Sequence, residues 1–299
     1  LIGLDFKKRM GIPFIFDMRG FWADERTEGN IWKLSNPIHK RLYSFFKKKE
    51  KELFLQADQI VSLTHKAKEI ILSWKLRINQ DKIHVIPCCA DLQFFSKNNT
   101  IQNDLSVLKK SLNINDTTFV LNYNGSLGTW YMMDEMMHFF KELLMMKEAT
   151  FLIVTKDEPE IAIAAAKKYG VDANKIIVRS ATRAEMPSYI AISNASLFFI
   201  RPTFSKSASS PTKMGELLSM QVPVITNKGV GDVDDIIAKS NCGVLVDDFD
   251  SSYYTKAIKE LLSNIEVYKS NAEATAAKYF DLNSGAETYN KIYLSFKNK

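Results

Sequence analysis

Residues 196–226, SLFFIRPTFSKSASSPTKMGELLSMQVPVIT, contain the pattern that decides the fold. Apolar runs at 196–200 and 222–226 predict two buried strands. Between them, Ser210 followed by Pro211 is a favourable N-cap and first-turn pair for a helix. A strand, a helix and a second strand in this order predict a βαβ unit, in which the two strands run parallel.

The same alternation of apolar runs and helical patterns continues on both sides of this unit. The further predicted strands lie at 12–17, 59–63 and 82–86 in the first third of the chain, and at 119–123, 151–155, 175–179 and 243–246 in the remainder. Six strands joined by helices complete a doubly wound domain, whereas three strands do not. The sequence therefore predicts an α/β protein with two Rossmann-like, doubly wound sheets, of which the N-terminal one is incomplete.

A polar stretch at 90–112, after Pro87, is typical of a hinge between domains. We therefore predict a partial N-terminal domain over residues 1–95 and a complete C-terminal domain over residues 96–280. The end of the chain has a helical pattern without a strand. We expect a C-terminal helix at 281–299 that packs back toward the N-terminal domain.

The composition and the charge distribution narrow the class of protein. Of the 299 residues, 46% are hydrophobic and 25% are charged, which is typical of a soluble globular protein and excludes a disordered, collagen-like or coiled-coil chain. The net charge is +6, but residues 1–100 carry 18 Lys and Arg against 11 Asp and Glu, whereas residues 101–299 carry 22 against 23. The excess positive charge of the first third points to an anionic partner there.

The cysteines and histidines predict neither a disulfide framework nor a metal site. Cys88 and Cys89 are adjacent and therefore poorly placed to pair, and Cys242 is the third cysteine. None of the four histidines lies near a cysteine or an acidic cluster. We expect a cytoplasmic protein that requires no metal. Since no recognition helix accompanies the basic charge, we expect no nucleic-acid partner.

Residues 210–216, SPTKMGE, form the strongest candidate site. The first turn of a helix that begins here directs free N–H groups and the positive end of its dipole at the carboxyl edge of the sheet, where phosphates bind. Glu216 lies about one turn inside this helix and could accept two hydrogen bonds from a ribose diol. The alternative is an ordinary capped helix with a solvated Glu216.

Two loops that follow predicted strands are further candidates. Residues 124–131, NGSLGTWY, contain glycines that would let the backbone approach a phosphate, although they match neither the dinucleotide fingerprint nor a P-loop. A tight turn between a strand and a helix is the alternative. Residues 17–26, DMRGFWADER, contain five charges and two large aromatic side chains. Such carboxylates and guanidinium groups could bind sugar hydroxyls or a phosphate, or they could form a structural salt-bridge network.

A basic segment with aromatic neighbours, FFKKKEKELF, lies on a predicted helix at residues 45–54. Such a helix can lie on anionic lipid headgroups. The predicted membrane-facing side chains are Lys47, Lys48, Lys49 and Lys51. The alternative is a solvated helix face.

Together these segments resemble the family 4 glycosyltransferases, enzymes of the two-domain GT-B fold. The resemblance covers nearly the whole chain in the order of the family. The segments that carry it are DMRGFWADER at 17–26, ADQIVSLTHKAKEII at 57–71, KIHVIPCCADLQFF at 82–95, NYNGSLGTWY at 122–131 and SPTKMGELLSMQVPVITNKGVGD at 210–232. The combined match is specific, whereas no single segment is.

The resemblance implies a retaining, metal-independent transfer of a sugar from a nucleotide-diphosphate donor to a saccharide or lipid-linked saccharide acceptor. It assigns the acceptor side to the N-terminal domain and the donor to the C-terminal domain, in the cleft between them. Members of this family often build surface polysaccharide or lipopolysaccharide on the cytoplasmic face of the membrane. The basic first third of the chain agrees with a peripheral position on that anionic surface.

The resemblance also assigns roles to single residues. Asp17 and Arg19 would face the transferred sugar and the acceptor as the catalytic pair, and Glu216 would bind the donor ribose. The base would lie at Arg179 and Ser180. The residues assigned to the diphosphate are Gly125, Ser126, Leu127, Gly128 and Thr129 in the glycine loop, and Pro211, Thr212 and Lys213 at the helix start.

The sequence departs from the family pattern in three ways. Ala208 occupies the position of the first Glu of the E-x7-E motif. The loop at 126–131 lacks the usual cations, for which Lys213, Lys156 or Arg201 could substitute. The first strands of the N-terminal domain do not appear, so we expect the chain to start within a domain. The alternatives are a non-catalytic nucleotide-sugar-binding subunit, an inactive truncated transferase that needs a partner segment, and a sugar-nucleotide epimerase.

Overall fold

The computed structural model describes residues 1–297 and contains two parallel sheets. The first sheet has three strands in the order β1 (Ile15–Met18), β2 (Gln59–Ser62) and β3 (Ile83–Val85). The helices around it are α1 (Ile2–Met10), α2 (Trp22–Glu28), α3 (Pro37–Gln56) and α4 (His65–Ser73). The elements from α1 to β3 are called the N-terminal unit.

The second sheet has six strands, and its elements are called the C-terminal unit. The strands are β4 (Phe119–Asn124), β5 (Ala149–Val154), β6 (Ile176–Arg179), β7 (Ala195–Phe198), β8 (Val224–Asn227) and β9 (Gly243–Val246). The helices are α5 (Gln102–Ser111), α6 (Met133–Leu144), α7 (Pro159–Tyr169), α8 (Met186–Ala191), α9 (Thr212–Ser219), α10 (Val233–Ser240) and α11 (Ser251–Phe280), and α12 (Leu282–Leu294) follows them. The spatial order of the strands is β6–β5–β4–β7–β8–β9, and every pair is parallel.

The fold class is confirmed as α/β with Rossmann-like sheets. Each of the nine predicted strands forms, with ends that differ from the prediction by a few residues. The strand order of the second sheet reverses between β4 and β7, so α6 and α7 cover one face whereas α8, after the reversal, lies with α5 on the other. Both β4 and β5 are buried along their whole length for this reason. Ligands of such sheets bind at the carboxyl edge beside the reversal point.

The chain crosses between the two units at two neighbouring points. The Ala90 N–H donates to the Phe280 carbonyl at 2.7 Å, and the Leu282 N–H donates to the Ala90 carbonyl at 3.2 Å. Helix α11 packs on α9 and β9, whereas α12 returns to the first sheet, where Ile292 is buried beside Val61. The C-terminal helix therefore packs on the N-terminal unit.

Asp232 makes a further contact between the two units. Its carboxylate accepts hydrogen bonds from the backbone N–H groups of His65 at 2.7 Å and Lys66 at 3.0 Å, in the first turn of α4. Thr64, the N-cap residue of α4, accepts from the Ala67 N–H at 3.0 Å and donates to the Ser207 carbonyl at 2.7 Å. The first turn of a helix in the N-terminal unit is thus capped partly by a carboxylate of the C-terminal unit.

Candidate active site

A cavity of about 480 Å³ opens at the carboxyl edge of the second sheet. Its walls come from the loops after β4, β5 and β6 and from the first two turns of α9. The residues that line it are Phe95, Asn124, Gly125, Ser126, Val154, Thr155, Lys156, Asp157, Ala181, Arg183, Met186, Lys213 and Glu216. The position beside the strand-order reversal is the one expected for a ligand of this fold.

Lys213 is the most unusual side chain of the cavity. It is only 9% exposed, and its Nζ lies 3.8 Å from the ring centroid of Tyr131 and 4.4 Å from that of Tyr123. Within residues 1–297 this nitrogen has no hydrogen-bond partner. Desolvation lowers the pKa of Lys213 to about 7, although the negative charge of Glu216 opposes the shift. A buried donor without a partner is costly, and a ligand anion would supply the partner.

Because Gly125 has no side chain, it leaves the space that the Lys213 ammonium occupies. The residue has a φ of +137°, a conformation that L side chains rarely adopt, and a Cβ built on it would lie 2.6 Å from Lys213 Nζ. Neighbouring Asn124 has a buried Oδ1 without a hydrogen-bond partner among the described residues. The end of β4 and the start of α9 therefore meet in an unsatisfied polar pocket.

Glu216 is half-buried one turn farther along α9. Burial raises the pKa of its carboxyl, and the positive charges of Arg183 and Lys213 partly offset this effect. The arrangement provides an acceptor group beside an unpaired cation, which suits a ligand that carries both hydroxyl groups and phosphates.

Arg183 is a lining residue that the sequence analysis missed. Its guanidinium carbon lies 5.0 Å from the ring centroid of Phe94 and 5.4 Å from that of Phe95, so the side chain rests on two aromatic rings. Asp157, also missed, accepts a hydrogen bond from the Leu127 N–H and so fixes the glycine loop. Both residues follow strands that end at the same sheet edge, which was the available indication.

The structure brings together five of the predicted donor-binding residues, which are Gly125, Ser126, Lys156, Lys213 and Glu216. The others do not line this cavity. Leu127 is buried, whereas Gly128 and Thr129 are exposed farther along the loop. Pro211 lines a different cavity of about 530 Å³ between the two units, and Thr212 is exposed.

The two residues predicted to hold the base, and one predicted cation, also lie outside the cavity lining. Arg179 and Ser180 are exposed, and Arg179 Nη1 donates to the carbonyl of its neighbour Val178 at 2.8 Å. The first lining residue after β6 is Ala181 instead. Arg201 is exposed, and its backbone N–H donates to the Trp130 carbonyl at 2.9 Å. Strand β6 ends two residues before the chain turns into the cavity, which explains the displacement.

Asp17 and Arg19 lie at the end of β1, across from α9. Asp17 Oδ2 accepts a hydrogen bond from the Tyr289 hydroxyl of α12 at 2.9 Å, and Arg19 Nη1 lies 3.9 Å from the same oxygen. Arg19 Nη2 is 3.9 Å from Cys88 Sγ, and the Cys88 N–H donates to Ser210 Oγ at 3.1 Å. These contacts connect the predicted catalytic pair to the start of α9, although neither residue lines the 480 Å³ cavity.

The acidic residues that follow in the DMRGFWADER segment have structural partners. Asp24 accepts hydrogen bonds from the Tyr43 hydroxyl at 2.8 Å and from Lys47 Nζ at 2.8 Å. Glu25 pairs with Lys206 of the C-terminal unit at 2.7 Å. This half of the segment forms the salt-bridge network that was the alternative interpretation.

Two of the four lysines predicted to face a membrane are held in ion pairs. Lys47 lies between Asp24 and Glu50 and is half-buried, and Lys49 pairs with Glu52 at 2.7 Å. Lys48 and Lys51 are exposed. The prediction overlooked Asp24, because it lies in a different helix.

Across residues 1–297, no group of three His, Cys, Asp or Glu side chains is arranged to hold a metal ion. None of the helices in that range is both long enough and apolar enough to cross a membrane.

The fold recurs in solved structures of other proteins. Sucrose-phosphate synthase from Thermosynechococcus elongatus matches with a TM-score of 0.74 at 14% identity, over 99% of this chain and 71% of that one. Anabaena Alr3699/HepE in complex with UDP-glucose matches at 0.73 and 14% identity, over 98% and 75%. WaaG, a glycosyltransferase involved in lipopolysaccharide biosynthesis, matches at 0.70 and 17% identity, over 97% and 80%. At these identities the likeness shows the GT-B fold alone.

The sequence itself matches a family. The pattern of the family described as "Glycosyl transferases group 1" covers residues 106–278, which is more than half of the chain. This range contains every residue that lines the 480 Å³ cavity except Phe95. No curated protein sequence matches the chain significantly. The chain therefore belongs to the glycosyl transferases group 1 family and is a glycosyltransferase of the GT-B fold.

Proposed function

We propose that this glycosyltransferase uses a nucleotide-diphosphate sugar as its donor and binds it in the 480 Å³ cavity. The observation that carries the proposal is the buried Lys213 ammonium, which has no partner within the described residues and lies in the first turn of α9. A helix start adjoining a free cation is suited to a diphosphate. Anabaena Alr3699/HepE, which has the same fold, forms complexes with UDP and with UDP-glucose, which supports the same class of donor.

The cavity suggests an order for the parts of the donor. The diphosphate would lie in the cavity beside Lys213 and Gly125, and the ribose diol would reach Glu216. The base would lie beyond the ribose, near Ala181 and Arg183, instead of at Arg179 and Ser180. Lys156, which lines the cavity and is exposed, would act as a second cation at the diphosphate.

We propose a retaining transfer that needs no metal ion. The charge that develops on the leaving diphosphate would be stabilised by Lys213 and by the N-terminal end of α9. The transferred sugar would point toward Asp17 and Arg19 at the end of β1, which are connected to this helix start through Cys88 and Ser210. We assign no nucleophile.

Ala208, which replaces the first Glu of the E-x7-E motif, is fully buried in the core of the N-terminal unit, together with Phe21 and Ile60. A carboxylate at this position would be desolvated among apolar side chains. The family contact to the transferred sugar is therefore not available from this residue.

Glu216→Gln is expected to weaken binding of the nucleotide sugar by about 1–3 kcal/mol, because a neutral amide is a poorer acceptor for the ribose diol than a carboxylate. The measurement is calorimetric titration with UDP, GDP and their common sugar conjugates. Glu160→Gln, an exposed change on α7, is the matched control and should leave the affinity unchanged. An unaltered affinity in Glu216→Gln would exclude the ribose role. Binding without sugar transfer to any acceptor would favour the non-catalytic binding subunit.

The surface of α3, in the N-terminal unit that would bind the acceptor, supports a peripheral position on an anionic membrane. A lipid-linked saccharide for surface polysaccharide would be presented at that membrane. Ile38, Leu42 and Phe45 follow at i, i+4 and i+7 on α3, and they are 68%, 38% and 47% exposed. The exposed cations around this apolar stripe are Lys40, Arg41, Lys48 and Lys51. An apolar stripe flanked by cations is typical of a helix that lies in the plane of a lipid surface.

The triple change Ile38→Ser, Leu42→Ser and Phe45→Ser is expected to abolish most co-sedimentation with vesicles that contain anionic lipid, because it removes the apolar area that would insert. The control triple is Val107→Ser, Ile161→Ser and Val267→Ser, at exposed apolar positions of the C-terminal unit. Equal co-sedimentation of the two triples would show that the α3 stripe does not bind lipid.

A further inference from the structure

Lys206 is a buried lysine of the C-terminal unit whose partner is in the N-terminal unit. It lies on the short turn Phe204–Ala208, between β7 and α9. Its Nζ lies 2.7 Å from Glu25 Oε1 of α2 and 3.8 Å from the ring centroid of Trp130. Trp130 belongs to the glycine loop after β4, so the Lys206 ammonium contacts both α2 and this loop.

The same helix makes further contacts with this region. The Phe21 and Phe204 rings stack with centroids 4.9 Å apart, and Glu28 Oε2 accepts a hydrogen bond from the Ser205 N–H at 3.0 Å. A Cβ added to Gly29 would lie 3.0 Å from the Trp130 ring, so the end of α2 packs directly on that ring. Helix α2 is therefore docked on the turn and on the loop together.

Trp130 is connected to the donor cavity through its neighbour Tyr131, which contacts the lining residue Lys213. Tyr131 is the next residue, and its ring centroid lies 3.8 Å from Lys213 Nζ. The Trp130 carbonyl accepts from the Arg201 N–H at 2.9 Å, and Tyr131 forms a β-bridge with Ile200, so the aromatic pair is anchored to the end of β7. One lysine thus lies over each ring: Lys206 over Trp130 and Lys213 over Tyr131.

We propose that Glu25, Lys206 and Trp130 form a latch. Through this latch, the docking of α2 sets the position of the glycine loop. Glu25 supplies the negative charge that lets Lys206 remain buried over Trp130. With Lys206 in place over Trp130, the neighbouring Tyr131 holds its position against Lys213. The three are positioning residues, since none of them lines the donor cavity. The inference rests on the proposed function, because the loop is taken to hold the donor.

The latch predicts a loss of donor affinity from a change in the N-terminal unit. In Glu25→Gln, Lys206 becomes a buried ammonium without a counter-charge, which is strongly unfavourable, so we expect it to leave the Trp130 ring. The loop then loses its support, and we expect the dissociation constant for the nucleotide sugar to rise about 5- to 150-fold, the usual range for coupling between sites. Calorimetric titration of the whole chain with UDP-glucose and GDP-mannose measures this change.

Two further variants separate the latch from general damage to the interface. Glu28→Gln alters α2 and its contact with Ser205 without touching Lys206 or Trp130, and should bind the nucleotide sugar as the unchanged chain does. Adding Lys206→Met to Glu25→Gln should restore most of the affinity, because methionine can cover the Trp130 ring without a counter-charge. A merely structural role would lower the melting temperature of Glu25→Gln and leave its dissociation constant unchanged.

The outcomes distinguish the latch from the proposed function. If the unchanged chain binds nucleotide sugar and Glu25→Gln binds it as tightly as Glu28→Gln does, the latch is refuted and the donor site stands. A folded, unchanged chain that binds neither UDP-glucose nor GDP-mannose, nor any other conjugate of the calorimetric panel, refutes the proposed function and the latch with it. Loss in Glu25→Gln with recovery on adding Lys206→Met supports both.

Discussion

Lys213→Met is expected to weaken binding of nucleotide-diphosphate sugars by about 2–5 kcal/mol, the usual cost of removing one partner of a buried charge pair. The ammonium lies in the first turn of α9, has no hydrogen-bond partner among residues 1–297, and lies against Gly125 in the wall of the cavity. Methionine has a similar length and no charge, so the change removes the attraction to the diphosphate without opening a large void.

The same variant should be more stable than the unchanged chain when no ligand is present. Replacing a buried, unpaired ammonium with an apolar side chain of similar size removes a desolvation cost. We therefore expect a higher melting temperature together with weaker binding, measured by thermal unfolding and by calorimetry. Lys156→Met is the matched control at an exposed position of the same cavity, and its effect on affinity should be smaller. Equal affinity of Lys213→Met and the unchanged chain would assign the diphosphate to Lys156 or Arg183.

Binding of a nucleotide sugar is expected to weaken as the pH rises above 7 and to take up a proton there. Desolvation lowers the pKa of Lys213 to about 7 in the free protein, so above this pH most of the side chain is neutral. The diphosphate favours the charged form and raises the pKa in the complex. The affinity should therefore be constant below the free pKa and fall about tenfold per pH unit above it, until the pKa of the complex is reached.

Calorimetry between about pH 6 and pH 9, in buffers with different ionisation enthalpies, measures this proton directly. The donor should be a nucleotide sugar, because its diphosphate is esterified at both ends and lacks the ionisation near pH 6 of a terminal phosphate. Lys213→Met should bind weakly with a flat pH profile. If the unchanged chain takes up no proton near pH 8, Lys213 is already charged in the free protein or stays neutral in the complex.

The fold could be predicted from the sequence because its determinants are local. A parallel strand covered by helices on both faces reads as a continuous apolar run, so β4 at Phe119–Asn124 and β8 at Val224–Asn227 were evident without any knowledge of their neighbours. The predicted cap of α9 was wrong, because Pro211 is the N-cap residue and Ser210 Oγ accepts from the Cys88 N–H instead. The start of α9 still lies within two residues of the predicted one, because the residues that indicate it are adjacent in the chain. Lys213 and Glu216 were found for this reason.

The features that the sequence analysis missed depend on residues that are distant in the chain. Glu25 was grouped with Asp17 and Arg19 as part of one acceptor loop, but its partner Lys206 is 181 positions away. Arg183 carries no motif, and its place in the cavity follows from the packing of its side chain on two phenylalanines that precede β4.

The hydrogen bonds to the Asp232 carboxylate make it possible to measure how often the two units separate. While it accepts from the amides of His65 and Lys66, those two hydrogens are withheld from solvent, and separating the two units would release both at once. The amide of Ala67, one residue farther along, donates to Thr64 within the same unit, so its acceptor would remain beside it when the units separate. The ratio of hydrogen-exchange rates between these neighbouring amides therefore reports how often the two units part, independently of any change in the helix itself.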